Sequence, residues 1–293
     1  MILYYIINNH IFVISFDTHI NINNLHVITT HDIIFPDVTK GDYMRTITIN
    51  SRKGGTAKTT TVISMAAGLR KRGFKVFMID LDSQANLTYT TGLSLQEQNN
   101  SYDLLTGKTD ILQGLQETKN GDLLPASPYL SGADKQLKKE TTLKDALSPI
   151  EPYYDFCLID TPSQLGSVTI NALTASAGVI IPLQADAYSL QSLPLMFEVI
   201  DTVRGYTNKK LKVEGLLITR YNGRANLSRD MLTTLQKAAE HYGTRLFDTK
   251  IRECTAIKEA EALQLNIFDY APRSNGAADY NAFTEEFLNT ITQ

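Results

Sequence analysis

Cysteine is scarce. Only Cys157 and Cys254 occur in 293 residues, with no close spacing, which suggests a reducing compartment and no zinc site. Cys157 lies in an apolar run and reads as core, and no motif surrounds Cys254. No run of roughly 18 apolar residues exists, so no membrane-spanning helix is expected. The apolar N-terminal start is broken by Asn8, Asn9 and His10 and lacks a basic lead-in, which argues against a signal peptide. Charge of one sign is also lacking overall, with 28 Lys and Arg against 31 Asp and Glu. That balance hides an asymmetry. Residues 204–258 carry 12 basic against 5 acidic side chains, while residues 259–293 carry 1 against 6. A local basic excess is either a candidate anion-binding face or an ordinary solvated one.

Residues 1–43 lack Ala, Glu, Gln and Arg altogether, yet hold four of the five histidines and ten isoleucines. The composition breaks at Met44. Lys40-Gly41-Asp42-Tyr43-Met44 is encodable as a purine-rich ribosome-binding site at a workable distance before a start codon. We therefore expect residues 1–43 to be a non-native or disordered extension and 44–293 to be the working domain, an expectation that the native N-terminal mass would test. A small regulatory or DNA-binding arm is the alternative, although no helix-turn-helix pattern is visible. The remaining length suits one α/β domain of about 200–250 residues.

What is present centres on Arg52-Lys53-Gly54-Gly55-Thr56-Ala57-Lys58-Thr59-Thr60-Thr61. It follows a strand-like run, Thr46–Asn50, and opens a helical run, Val62–Arg70. A strand, a glycine loop, a lysine and a hydroxyl residue at a helix start together make a phosphate site, because loop N–H groups and the helix dipole favour an anion. Lys58 is placed to reach β- and γ-phosphates, and Thr59 to offer its hydroxyl to Mg²⁺. The ordinary phosphate loop G-x-x-x-x-G-K-[ST] is not met literally: Arg52 and Ala57 stand where it has glycine. Ala57 implies that this position does not need a positive φ. The alternative is a Gly-Lys surface turn, which leaves the downstream motifs unexplained. Two of these are apolar runs that end in carboxylates: Val76–Asp82 ends in Asp80 and Asp82, and Phe156–Asp160 ends in Asp160. Loops at strand C-termini in open α/β sheets are where ligands bind. Alternating strands and helices argue for an α/β fold with a doubly wound, mostly parallel sheet flanked by helices.

The form K-G-G-x-x-K-T-T resembles the deviant-Walker ATPases of the ParA/MinD family, and the resemblance covers about 245 residues in order. It implies that Lys53, Gly54, Gly55, Thr56, Ala57, Lys58, Thr59 and Thr60 bind ATP, and that Lys53 reaches across a nucleotide-sandwiched homodimer. Asp80-Leu81-Asp82-Ser83-Gln84-Ala85-Asn86 is similar to the family's D-x-D-P-Q-x-N, so Asp82 would orient the attacking water and Asp80 support the metal shell. Asp160-Thr161-Pro162 matches the family's D-[TA]-P-P, with Ser163 in place of the second proline. Asp160 and Thr59 would then hold Mg²⁺, and the residues from Thr161 onward would sense the γ-phosphate. By the same resemblance Arg220 lies near the base, and Pro272 belongs to a P-x-S-x-G-A loop bordering the adenine. Arg224 matches a DNA-contacting arginine, and Arg229 and Lys237 follow on one amphipathic helix. Ile251–Ala260 departs from I-P-R-N-x-x-[LI]-x-E-A, with Arg252 and Lys258 as possible compensating cations for DNA. The acidic ending is unlike the basic membrane helix of MinD-like proteins. What the resemblance implies is a ParA/Soj-type cytoplasmic segregation ATPase that binds non-specific double-stranded DNA and answers to a ParB-like partner. Cargo positioning or control of a replication initiator are the alternatives.

Overall fold

The computed structural model describes residues 2–7, 10–15, 44–95, 98–137, 139–224 and 226–292. It divides into two compact units, one of residues 1–41 and one that begins at Asp42. In the first, β1 (Ile2–Ile7) pairs antiparallel with β2 (His10–Ser15), Ile2 opposite Ser15 and Ile7 opposite His10. This hairpin was not expected from the sequence. Isoleucine and aromatic residues favour strands. The rest of the expected extension lies outside the described residues.

The second unit is a six-stranded parallel sheet in the order β5-β4-β6-β3-β7-β8. Its strands are β3 (Arg45–Ile49), β4 (Val76–Asp80), β5 (Asp122–Leu124), β6 (Phe156–Asp160), β7 (Gly178–Leu183) and β8 (Lys212–Ile218). The helices are α1 (Lys58–Lys71), α2 (Asn86–Thr90), α3 (Ser101–Thr106), α4 (Ile111–Gly114), α5 (Thr142–Leu147), α6 (Ser167–Ala175), α7 (Ala187–Tyr206), α8 (Asn226–His241), α9 (Thr255–Ala262), α10 (Ile267–Tyr270) and α11 (Asn275–Thr292). The doubly wound reading holds. None of the described helices is long and apolar enough to cross a membrane.

The central strands β4 and β6 are apolar up to their closing aspartates because both faces are covered. In β4 and β6, Val76, Met78, Phe156 and Leu158 face the layer of α1 and α11, while Phe77, Ile79, Cys157 and Ile159 face the layer of α3, α5 and α6. A third cluster packs α7 and α8 on β7 and β8 through Leu193, Met196, Phe197 and Leu235. The two helices α1 and α11 touch closely at Gly68, where an added Cβ would stand 2.7 Å from Thr284 Oγ1. That contact needs glycine. In parallel register Ile49 and Asp80 both neighbour Asp160. Three chain segments thus deliver the phosphate loop and two carboxylates to one end of the sheet, beside the point where strand order reverses.

Candidate nucleotide site

A cavity of about 610 Å³ opens at that end. Gly54, Gly55, Ala57, Lys58, Thr59 and Thr60 line one side, Asp82, Gln84, Asn86 and Tyr89 another. Arg220, Ile251–Cys254 and α9 close the third, with Tyr280 of α11 at the base. The loop enters α1 through Ala57, whose φ of 64° and ψ of 34° are left-handed. This corrects the expectation that Ala57 needs no positive φ. Alanine takes that region at a cost of about 1–2 kcal/mol, and the loop around it is held: Thr56 is buried, its hydroxyl donates to Lys53 O at 3.2 Å, and its carbonyl accepts from Thr219 Oγ1 at 3.0 Å. Ala85 (φ 54°) and Arg220 (φ 49°) share the left-handed backbone. Such outliers persist where the surrounding structure holds them, and they gather at functional sites.

Lys58 is buried in the cavity wall and donates to Ser163 Oγ at 2.8 Å. Burial lowers its pKa, and the nearby carboxylates of Asp160 and Asp82 pull it back up. Thr59 Oγ1 donates to Asp160 Oδ2 at 2.6 Å. Asp160 is fully buried, and its second oxygen, Oδ1, has no hydrogen-bond partner among the described residues. Burial first, and the adjacent Asp80 second, push the Asp160 carboxyl well above the ordinary carboxylate range, against the Thr59 hydrogen bond and Lys58. A lone pair left over on a buried acid is what a missing cation would satisfy. Thr59 and Asp160 therefore fit a divalent cation that keeps most of its own waters, as Mg²⁺ does. Among the described residues no cluster of three or more His, Cys, Asp or Glu could hold a metal alone.

Asp80 is tied into the turn that follows it. Its oxygens accept from Thr88 N and Thr88 Oγ1, both at 2.8 Å, and from Asp82 N at 3.1 Å. It braces the Asp82 turn and charges the neighbourhood of Asp160 rather than offering a free ligand oxygen. Asp82 lines the cavity and is half-buried, its Oδ1 accepting from Gln84 N at 3.0 Å. Thr60 donates to the Glu261 carboxylate of α9, a contact that no motif announced.

Lys53 does not line the cavity. Its Nζ lies outside, 2.5 Å from Asp186 Oδ2 and 3.2 Å from Gln184 Oε1. Arg220 does line it, with its guanidinium beside Gly55. Pro272 is exposed and outside the lining; Tyr280, further along in α11, takes the inner position. Arg224 is exposed in the turn after β8, and Arg229 and Lys237 lie exposed on α8. Arg252 is placed at the cavity instead. Its Nε and Nη2 clamp Asp279 at 2.9 and 2.6 Å, and its own N–H donates to Asp279 Oδ2 at 2.9 Å. This charge-assisted pairing fixes the guanidinium beside the cavity. Lys258 lines the cavity rim and pairs with Glu253 at 3.5 Å.

Residues 44–213 match the model of a family described as an AAA domain. The chain is 36% identical over 252 residues to the chromosome-partitioning ATPase Soj of Thermus thermophilus, covering 85% of this chain and 98% of that one. Among solved structures it superposes on cobyrinic acid a,c-diamide synthase of Mycobacterium smegmatis with bound ADP and magnesium, at TM-score 0.71 and 32% identity, covering 83% and 93% of the two chains. It also superposes on a plasmid partition protein of Borrelia burgdorferi bound to AMPPNP, at TM-score 0.69 and 27% identity, covering 84% and 98%.

Proposed function

The chain belongs to the ParA/MinD family of partitioning ATPases, and from that premise we propose that it segregates DNA by an ATP-driven cycle of dimerisation. The observation that carries the reading is the division of labour between two lysines. Lys58 is buried in the cavity, while Lys53 of the same loop is held outside it by Asp186. A lysine turned away from its own cavity is available to a second copy's.

In this reading the loop N–H groups of Gly54–Thr60 and the Lys58 ammonium take the phosphate chain. Thr59 Oγ1 and Asp160 would hold Mg²⁺, which would supply charge compensation for the phosphate chain. Asp82 orients a water in line with the terminal phosphorus; phosphoryl transfer needs position and charge compensation more than a strong base. Arg224, Arg229 and Lys237 form the cationic face for non-specific double-stranded DNA, and a ParB-like protein stimulates hydrolysis and so release. The protein would work in the cytoplasm on the nucleoid.

The test is retention on non-specific duplex DNA with ATP, ADP or no nucleotide across a salt series. Phosphate-dominated binding falls by orders of magnitude over a few-fold rise in salt. ATP-only, salt-sensitive retention that Arg224→Ala abolishes, with ATP-dependent dimerisation intact, supports the reading. No retention in any state moves the function to cargo positioning or initiator control. Asp82→Ala is expected to trap the ATP dimer, and unchanged phosphate release by that variant would remove Asp82 from its role.

A further inference from the structure

The loop that follows Asp160 is fixed on both sides of Ser163. Before it, Asn50 Nδ2 donates to Thr161 Oγ1 at 2.6 Å, and that hydroxyl donates on to Ile49 O at 2.9 Å. After it, Thr169 Oγ1 donates to Gln164 O at 2.7 Å, and Asp134 Oδ1 accepts the N–H of Ser167 at 2.8 Å. Ser163 is therefore presented at a set place. Its Oγ accepts from Lys58 Nζ at 2.8 Å, and with Asp82 and Gln84 it lines both the nucleotide cavity and a second cavity of about 280 Å³ behind it.

A hydroxyl has one hydrogen to give and two lone pairs. The lone pair on Lys58 leaves the Ser163 hydrogen free to donate, alongside the ammonium that takes the terminal phosphates. A proline here, as in the family pattern, offers no hydroxyl. We infer that Ser163 is a specificity-determining residue of this chain, whose hydroxyl donates to the terminal phosphate of a nucleoside triphosphate and so distinguishes it from the diphosphate. This rests on the nucleotide reading of the cavity. Within the stretch from Thr161 onward that the resemblance assigns to γ-phosphate sensing, it names one side chain, absent from the family's proline, as the group that makes the contact.

The experiment compares the affinities of the full chain with Mg²⁺ for fluorescent ADP and for a fluorescent non-hydrolysable ATP analogue. The variants are Ser163→Ala, Ser163→Pro and Ser163→Thr. A hydrogen bond to a charged group corresponds to about tenfold or more in affinity. The expected result is that Ser163→Ala and Ser163→Pro weaken the analogue about tenfold while ADP affinity stays within about twofold, and that Ser163→Thr keeps the wild-type ratio. A merely structural role would lower both affinities together. An unchanged ratio in Ser163→Ala, with unchanged thermal unfolding, overturns the inference even if Ser163→Pro fails to fold. Failure of the wild type to bind either nucleotide would overturn the nucleotide reading itself, so the two failures are distinct.

Discussion

Ala57 pays a steric penalty at the helix start, with φ at 64°. Removing its Cβ relieves about 1–2 kcal/mol of left-handed strain, against about 0.5–1 kcal/mol of extra unfolded-chain entropy for glycine. Ala57→Gly is therefore expected to leave stability unchanged or raise it by up to about 1.5 kcal/mol in urea denaturation. A loss larger than that would mean the loop does not hold this backbone. The cysteines give a second residue-scale test. Cys157 is fully buried, and burial pushes its thiol well above the usual range. Cys254 is half-buried and lines the nucleotide cavity. Thiolate, not thiol, reacts with alkylating agents. Iodoacetamide at pH 8 should thus label Cys254 and spare Cys157 in the folded protein, and bound Mg-nucleotide should slow the labelling. Peptide mass spectrometry reads both, and labelling of Cys157 before unfolding would contradict its burial.

At the scale of elements, α7 begins with a residue that serves two masters. Asp186 accepts from Ser189 N at 2.8 Å as the cap, and from Lys53 Nζ at 2.5 Å. Partial burial pushes its carboxyl up, but Lys53 and Ser189 outweigh this and hold it below the ordinary value. A depressed carboxylate binds fewer protons in the folded than in the unfolded state. Its contribution is therefore present above the unfolded value near pH 3.9 and is lost as pH falls through the folded one. Asp186→Asn can keep the cap but not the ion pair. It should cost no more than about 1 kcal/mol at pH 7, since the pair is partly exposed, and the difference from wild type should shrink below about pH 4. A difference that grows on acidification would refute the pairing.

The Asp186 contact also marks where sequence reading stops. The strands β4 and β6 were legible because burial on both faces makes them apolar throughout, and Asp160 because it ends one of them. The helix α1 was legible from the loop that opens it. The Lys53–Asp186 tether, the Arg252–Asp279 clamp and the Thr60–Glu261 contact join residues 133, 27 and 201 positions apart. No local period records such pairs. Nor does any motif say that Asp80 would give its oxygens to Thr88, or that Tyr280 rather than Pro272 would line the cavity. Ala57 was misread for a related reason: a single residue's propensity yields to the loop that surrounds it.

At the scale of the whole molecule, the question is where the cooperative unit begins. Met44 is 7% exposed and packs in the cluster of Phe77, Tyr102 and Leu143. Arg45 then pairs with Glu214 at 3.3 Å, and its N–H donates to Asp155 O at 2.9 Å. The division into two units falls just before, at Gly41 and Asp42. If residues 1–43 are the extension that their composition suggests, deleting them should shift the urea midpoint by no more than corresponds to about 0.5 kcal/mol. Within that shortened protein, Met44→Ala should cost about 2–5 kcal/mol, as for a buried methionine truncated in a packed core. The two measurements constrain each other. If the deletion alone broadens the transition or lowers it by several kcal/mol, residues 1–43 belong to the folding unit, and the composition break at Met44 would not be a structural boundary. If the deletion is silent and Met44→Ala is not, the first residue of the working domain is also the first residue of its core.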